Sequence, residues 1–187
     1  MPSNASPAGW LSDDEAAVLR QLASKCRLVL ELGSYVGRST VVLAEGASHV
    51  VALDHHRGSQ EHQPGKTHHD PQFVDPKTGV FTTYPAFLAN LRRDGLESRV
   101  SIFIGWSDMA WILRPAIFDM VFIDASHDFD AAMADGLLAL ELVRPAGLVV
   151  FHDYGVRGFP GVTMAAIKAA AGREIRQPVG SLGVFVA

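Results

Sequence analysis

The chain has 187 residues, 48% of them hydrophobic and 19% charged, with a formal net charge of −4 and no basic run. That balance excludes global disorder and argues against nucleic acid as a partner, while the length suits one domain with a proper core. A single cysteine, Cys26, excludes an internal disulfide framework and suits a reducing cytoplasm. No stretch reaches the ~18 apolar residues of a membrane span, and Met1 to Trp10 lacks the marks of a secretion signal.

Residues 1–10, rich in Pro, Ser, Ala and Gly, are expected to be flexible. Ser12, with Glu15 three residues on, reads as a capping box that opens a helix to about Ser24, with Leu11, Val18, Leu19 and Leu22 turned inward. Strands are expected at 28–32, 49–53, 99–104, 118–123 and 147–152, and helices at 38–46, 80–94, 107–113, 128–143 and 162–171. This alternation predicts an α/β fold in one domain, a doubly wound Rossmann-like sheet of about seven strands with helices on both faces. The sheet is expected to be mostly parallel, closed by an antiparallel C-terminal hairpin of residues 174–177 and 182–186 around Pro178. In the helix after Asp128, the spacing of Phe129, Met133, Leu137 and Leu140 reads as the core stripe, with Asp130, Asp135 and Glu141 elsewhere on its surface.

Residues 55–79 break the pattern, a long loop holding His55, His56, His62, His68 and His69. Such loops are lids, binding loops or plain solvated segments. A lid over the substrate is the leading expectation here; a metal site is the alternative, although the histidine spacing fits no zinc pattern and no cysteine accompanies it.

The chemistry concentrates in two places. In the first, Leu28 to Leu32 is an apolar run interrupted by Glu31, and Gly33, Ser34, Tyr35, Gly37 and Ser39 carry the chain into the next helix. The two glycines permit a tight turn and close approach of backbone to ligand. The next apolar run stops at Asp54, where a carboxylate can accept hydrogen bonds from two ribose hydroxyls. A dinucleotide fingerprint has a middle glycine where Tyr35 stands, so a pyrophosphate is disfavoured. Glu31 would repel phosphate and suits an amino group instead.

The second place is the ends of the later strands, where ligands of doubly wound sheets bind. Asp124 and Asp153 stand there and would together suit a divalent cation such as magnesium. His127 lies three residues past Asp124 and is expected to face the same cleft; His152 is weighed as a ligand or a positioning group. The bland alternative makes both aspartates helix caps and His127 a solvated residue at a helix start.

With these residues in view, the stretch from about Val29 to Val186 resembles the small class I S-adenosylmethionine-dependent methyltransferases, close to the catechol and macrocin O-methyltransferase-like groups. The resemblance implies that Glu31, Gly33, Ser34, Tyr35, Gly37 and Ser39 surround the methionine part of the cofactor and that Asp54, beside His55, holds its ribose. Gly105 to Asp108 resembles the turn that frames the adenine, which assigns Trp106, Ser107 and Asp108 to the base. Asp124, also expected beside the cofactor, and Asp153 match metal-binding aspartates, and His127 matches the proton acceptor. Tyr154 departs from the Asn of catechol-type enzymes and removes an expected oxygen ligand, for which His152 either compensates or the metal is weak or absent.

The resemblance therefore implies methyl transfer to a small-molecule hydroxyl, with S-adenosylmethionine and a divalent cation as cofactors. A homodimer is an open alternative for the assembly. Two other readings stay open for the function: a non-catalytic or hydroxylase-like cofactor-binding relative, and an NAD(P)-dependent oxidoreductase.

Overall fold

The structure, a computed structural model, describes residues 9–113 and 115–187. Its first helix, α1 (Asp13–Ala23), begins at the expected capping box, with the Ser12 and Glu15 side chains satisfying each other's backbone amides. In chain order there follow β1 (Leu28–Leu32), α2 (Arg38–Gly46), β2 (His49–Asp54), α3 (Tyr84–Asp94), β3 (Val100–Ile104), β4 (Phe118–Ile123), α4 (Phe129–Leu142), β5 (Val143–Phe151), α5 (Pro160–Ala170) and β6 (Gly183–Val186). Gln60–His62, Pro71–Phe73, Glu97–Arg99 and Ser107–Ile112 are 3₁₀ turns.

The six strands form one sheet in the order β3-β2-β1-β4-β5-β6, parallel throughout except for the β5–β6 pair. The doubly wound architecture is thus as expected. The count differs, because residues 174–177 contribute only an isolated bridge between Arg176 and Val184. Pro178 has no N–H for a ladder, and the Gln177 side chain turns back to the Tyr154 and Gly180 carbonyls, so pairing stops there.

Two apolar layers flank the sheet. One face buries Val29, Val50, Ala52, Met120 and Val150 against α1, α2 and α3, and the other buries Leu30, Leu32, Leu53, Val121 and Phe151 against α4 and α5. Alternate residues of one strand serve opposite faces, as the pleat requires.

Helix α4 corrects the sequence reading. Its buried positions are Ala132, Asp135, Gly136, Ala139 and Leu142, whereas Leu137 is exposed. Small residues face inward because α5 packs close: a Cβ on Gly136 would lie 2.9 Å from both the Ala169 Cβ and the Phe151 ring. The helix is apolar on most sides, so periodicity alone does not choose the buried one.

The site is set where β1 and β4 part. Chains leaving a parallel sheet on opposite sides at neighbouring strands open a crevice at the strand ends. Here the Gly33 amide donates to the Leu53 carbonyl and the Asp124 amide to the Leu32 carbonyl, so the ends of β2, β1 and β4 are laced side by side at its floor. No described helix is long and apolar enough to cross a membrane.

Candidate active site

A cavity of about 500 Å³ opens over these strand ends. That is within the ordinary range of small-molecule sites. Of the residues singled out in the sequence, Gly33, Ser34, Tyr35, Ser39, Asp54 and His55 line it. Trp106, Ser107, Asp124, His127, His152 and Asp153 complete the set, whereas Glu31, Gly37 and Asp108 stand outside the wall.

Asp54 organises the glycine turn. Its Oδ2 accepts from the Ser34 and Tyr35 amides, both at 2.8 Å, and its Oδ1 from the His56 amide at 2.6 Å. Tyr35 and His56 have φ of 46° and 55°, in the left-handed region that L residues enter at a cost. One carboxylate therefore holds both strained residues in place.

Glu31 is fully buried and stands behind the cavity wall, not in it. Ser39, Thr40 and Ser34 donate their hydroxyls to it at 2.6, 2.5 and 2.8 Å. Burial pushes this carboxyl up to about 7, against the pull of the three hydroxyls, and Asp124 adds to the rise. When Glu31 is ionised, Ser34 and Ser39 donate hydrogen bonds to it and turn lone pairs toward the cavity, a polarity that suits a ligand's ammonium group.

The Glu31 environment makes stability depend on pH in a definite direction. With the folded value near 7 and an unfolded value near 4.5, the contribution is full at low pH and is lost as pH rises through about 7. Glu31→Gln cannot ionise. Between pH 5 and pH 8 the wild type should lose up to roughly 3 kcal/mol relative to this variant, at about 1.4 kcal/mol per pKa unit. Denaturant midpoints of both proteins at the two pH values would show it, and parallel curves would refute it.

Asp153 has φ of 59°, and its Oδ2 accepts from His127 Nε2 at 2.9 Å and lies 3.2 Å from His152 Nδ1. His152 Nδ1 is also 3.3 Å from Asp124 Oδ1. Burial pushes the Asp153 carboxyl up, but His127 and His152 outweigh it and hold the group well below the usual carboxylate range. Burial alone would lower His152, but Asp124 and Asp153 outweigh it and hold the imidazole well above its ordinary value. Behind it, Glu15 of α1 accepts from the Ser181 amide and hydroxyl at 2.7 and 2.8 Å, and Ser181 in turn accepts the Asp153 amide. The N-terminal helix thereby supports the metal-candidate corner.

His127 is tied at both nitrogens, Nε2 to Asp153 and Nδ1 to Glu61 Oε1 at 2.7 Å, and its ring stacks on Phe159 with centroids 3.8 Å apart. Burial lowers its proton affinity, yet Asp153, Glu61 and Asp124 together raise it above the ordinary value. At neutral pH fewer molecules therefore carry it deprotonated than would an ordinary histidine.

The histidine-rich segment folds over the cavity edge. Glu61 and His62 reach the wall from it, and the His62 ring lies against Trp10 and Tyr35 with centroids 5.9 and 5.3 Å away. Its histidines form no ligand cluster; among the described residues the one group of three whose metal-ligating atoms all lie within 4.8 Å of one another is Asp124, His152 and Asp153. Trp10, Glu61, His62, Phe159 and Asp135 are wall residues that the sequence did not disclose. No spacing rule ties a loop glutamate to a histidine 66 positions away.

Sheet order, glycine turn and strand-tip acid define a nucleoside-binding α/β domain with a polar reaction corner. The chain belongs to the methyltransferase-domain family, whose model matches residues 30–154, and is a class I S-adenosylmethionine-dependent methyltransferase. It is similar to the O-methyltransferase from Bacillus cereus solved with SAH, at 23% identity and TM-score 0.69 over 97% of this chain and 84% of that one. It is similar to cofactor-bound Rv0187 from MTB, at 25% identity and TM-score 0.68 over 96% and 82%. The O-methyltransferase TomG from Streptomyces achromogenes, solved with SAM, matches at 22% identity and TM-score 0.66 over 95% and 82%.

Proposed function

We propose that the protein transfers the methyl group of S-adenosylmethionine to a hydroxyl of a small molecule, with a divalent cation held at the corner of Asp124, Asp153 and His152. The observation that carries this reading is the convergence on one cavity of the Asp54-held glycine turn and that corner. Transfer forms a bond between the acceptor oxygen and the methyl carbon while the carbon–sulfur bond breaks, its electron pair going to sulfur. S-adenosylhomocysteine leaves, and the hydroxyl proton goes to a base. Alignment of the two reactants in a closed cleft supplies much of the acceleration, up to roughly 7 to 11 kcal/mol in well-oriented systems.

The donor set fits a cation. Contacts of 3.2 and 3.3 Å from His152 Nδ1 to the two carboxylates approach the separation of adjacent ligands around one small ion, about 3 Å for metal–ligand bonds of 2.0–2.1 Å. Two carboxylates and an imidazole suit manganese, iron or zinc as well as magnesium. Tyr154 supplies no further oxygen, since its ring packs against Gly183 and the apolar layer beneath. A bound cation would lower the pKa of an acceptor hydroxyl. His127 is the proton acceptor in this reading, steadied by Glu61 and Phe159. The segment 55–79 is its lid, whose Glu61 orients His127 and whose His62 walls the acceptor space.

The test is binding of S-adenosylhomocysteine by calorimetry, followed by transfer of labelled methyl from S-adenosylmethionine to a panel of phenols and sugars. Turnover should fall at least tenfold in excess chelator and return with magnesium or manganese. Failure to bind the nucleoside would overturn the cofactor reading. Binding without transfer to any acceptor would favour a non-catalytic relative, and full turnover in chelator would remove the cation.

A further inference from the structure

Asp135 is a carboxyl that the reading above leaves without a task. It is 4% exposed, yet it lines the cavity. It stands there because α4 turns its small residues inward, which brings the second turn of the helix under the loop that leaves β3. Among the described residues its partners are few: the Ser107 hydroxyl donates to it, and Asp108 faces it as a like charge. No described basic side chain pairs with it.

A carboxylate has about four lone-pair positions, and one hydroxyl fills one of them. A buried polar group left short of partners asks for an explanation. Burial pushes this carboxyl up to about 6, Ser107 pulls it down and Asp108 adds to the rise, so at neutral pH it is mainly an ionised acceptor in need of a donor.

Its location says which donor. The Gly105 amide bonds to the Asp54 carbonyl at 3.1 Å, which sets the turn of Gly105, Trp106 and Ser107 immediately beyond the acid that faces a ribose. Trp106 and His55 form one wall there, with ring centroids 4.0 Å apart, and Asp135 lies on the α4 wall of the same cavity. A base attached to that ribose enters this end of the cavity, and the donor that adenine carries is its 6-amino group.

Building on the cofactor reading, we propose that Asp135 is the adenine-reading residue of this chain: one carboxyl oxygen, steadied by Ser107, accepts a hydrogen bond from the 6-amino group. An analogue with a 6-oxo group in that place sets oxygen against oxygen, its N–H lying at ring position 1 instead of on the exocyclic atom. Sites built around a ligand N–H reject such analogues strongly, because a buried polar group is left unpaired.

The experiment compares S-adenosylhomocysteine with S-inosylhomocysteine, its 6-oxo analogue, by calorimetry on the full chain. The wild type should prefer the adenine compound by ~10²-fold or more. In Asp135→Asn, whose amide can serve either base, and in Asp135→Ala, the preference should fall below ~10-fold. A purely structural role for Asp135 would lower the melting temperature or weaken both compounds together and leave their ratio unchanged, which overturns the proposal. Equal binding of the two compounds by the wild type overturns it without need of any variant. Binding of neither overturns the cofactor reading, and this proposal with it.

Discussion

Asp54→Ala should weaken binding of S-adenosylhomocysteine by ~10²- to 10⁴-fold. In the proposed reading Asp54 accepts two charge-assisted hydrogen bonds from ribose hydroxyls, each worth about 1.5–3 kcal/mol, and every 1.4 kcal/mol is tenfold. The structure adds a second cause acting in the same direction. The carboxylate also accepts the Ser34, Tyr35 and His56 amides, so its removal frees two residues held at positive φ and loosens the turn against which the ligand lies. Asp54→Asn keeps one acceptor oxygen and should fall between the two. Calorimetry showing wild-type affinity in the alanine variant would take Asp54 out of the site.

The second large effect is expected at Gly33, whose φ is +87°. A Cβ there would lie 2.6 Å from the Asp124 carbonyl carbon and 2.7 Å from the Ala125 Cα, both backbone atoms with no freedom to swing away. Gly33→Ala must then push the ends of β1 and β4 apart. Left-handed strain of about 1–2 kcal/mol and overpacking of about 1–3 kcal/mol combine to roughly 2–5 kcal/mol of lost stability. At about 2–4 °C per kcal/mol for a domain of this size, the melting temperature should fall by roughly 4–20 °C. Gly79→Ala is the control: its φ is +69°, but nothing lies within 4 Å of the added carbon, so only the backbone strain applies. Equal melting temperatures for the two variants would show that the contact with Asp124 does not matter.

Local rules made much of the fold legible in the chain. The capping box at Ser12, the apolar runs ending at Leu32, Asp54 and Ile123, and the glycines at 33 and 37 each act within a few residues, and the first five strands lie close to where the structure has them. Asp124, His127, His152 and Asp153 were legible together for a related reason: a parallel sheet delivers all its strand ends to one edge, so residues following different strands meet there.

What the chain determined by itself was therefore the order and kind of its elements and the strand-tip residues that sheet topology must gather. Tertiary structure decided everything that depends on which face packs against what. Glu31 is a buried anchor for three hydroxyls, because Ser34, Ser39 and Thr40 close around it. Asp135 moved from the outer surface to the cavity wall, because α5 demands small residues from α4. His127 lost its ordinary titration, because Glu61 comes down from a loop whose path no periodicity describes. Burial and electrostatics act through space between residues far apart in sequence; only the folded chain fixes those distances.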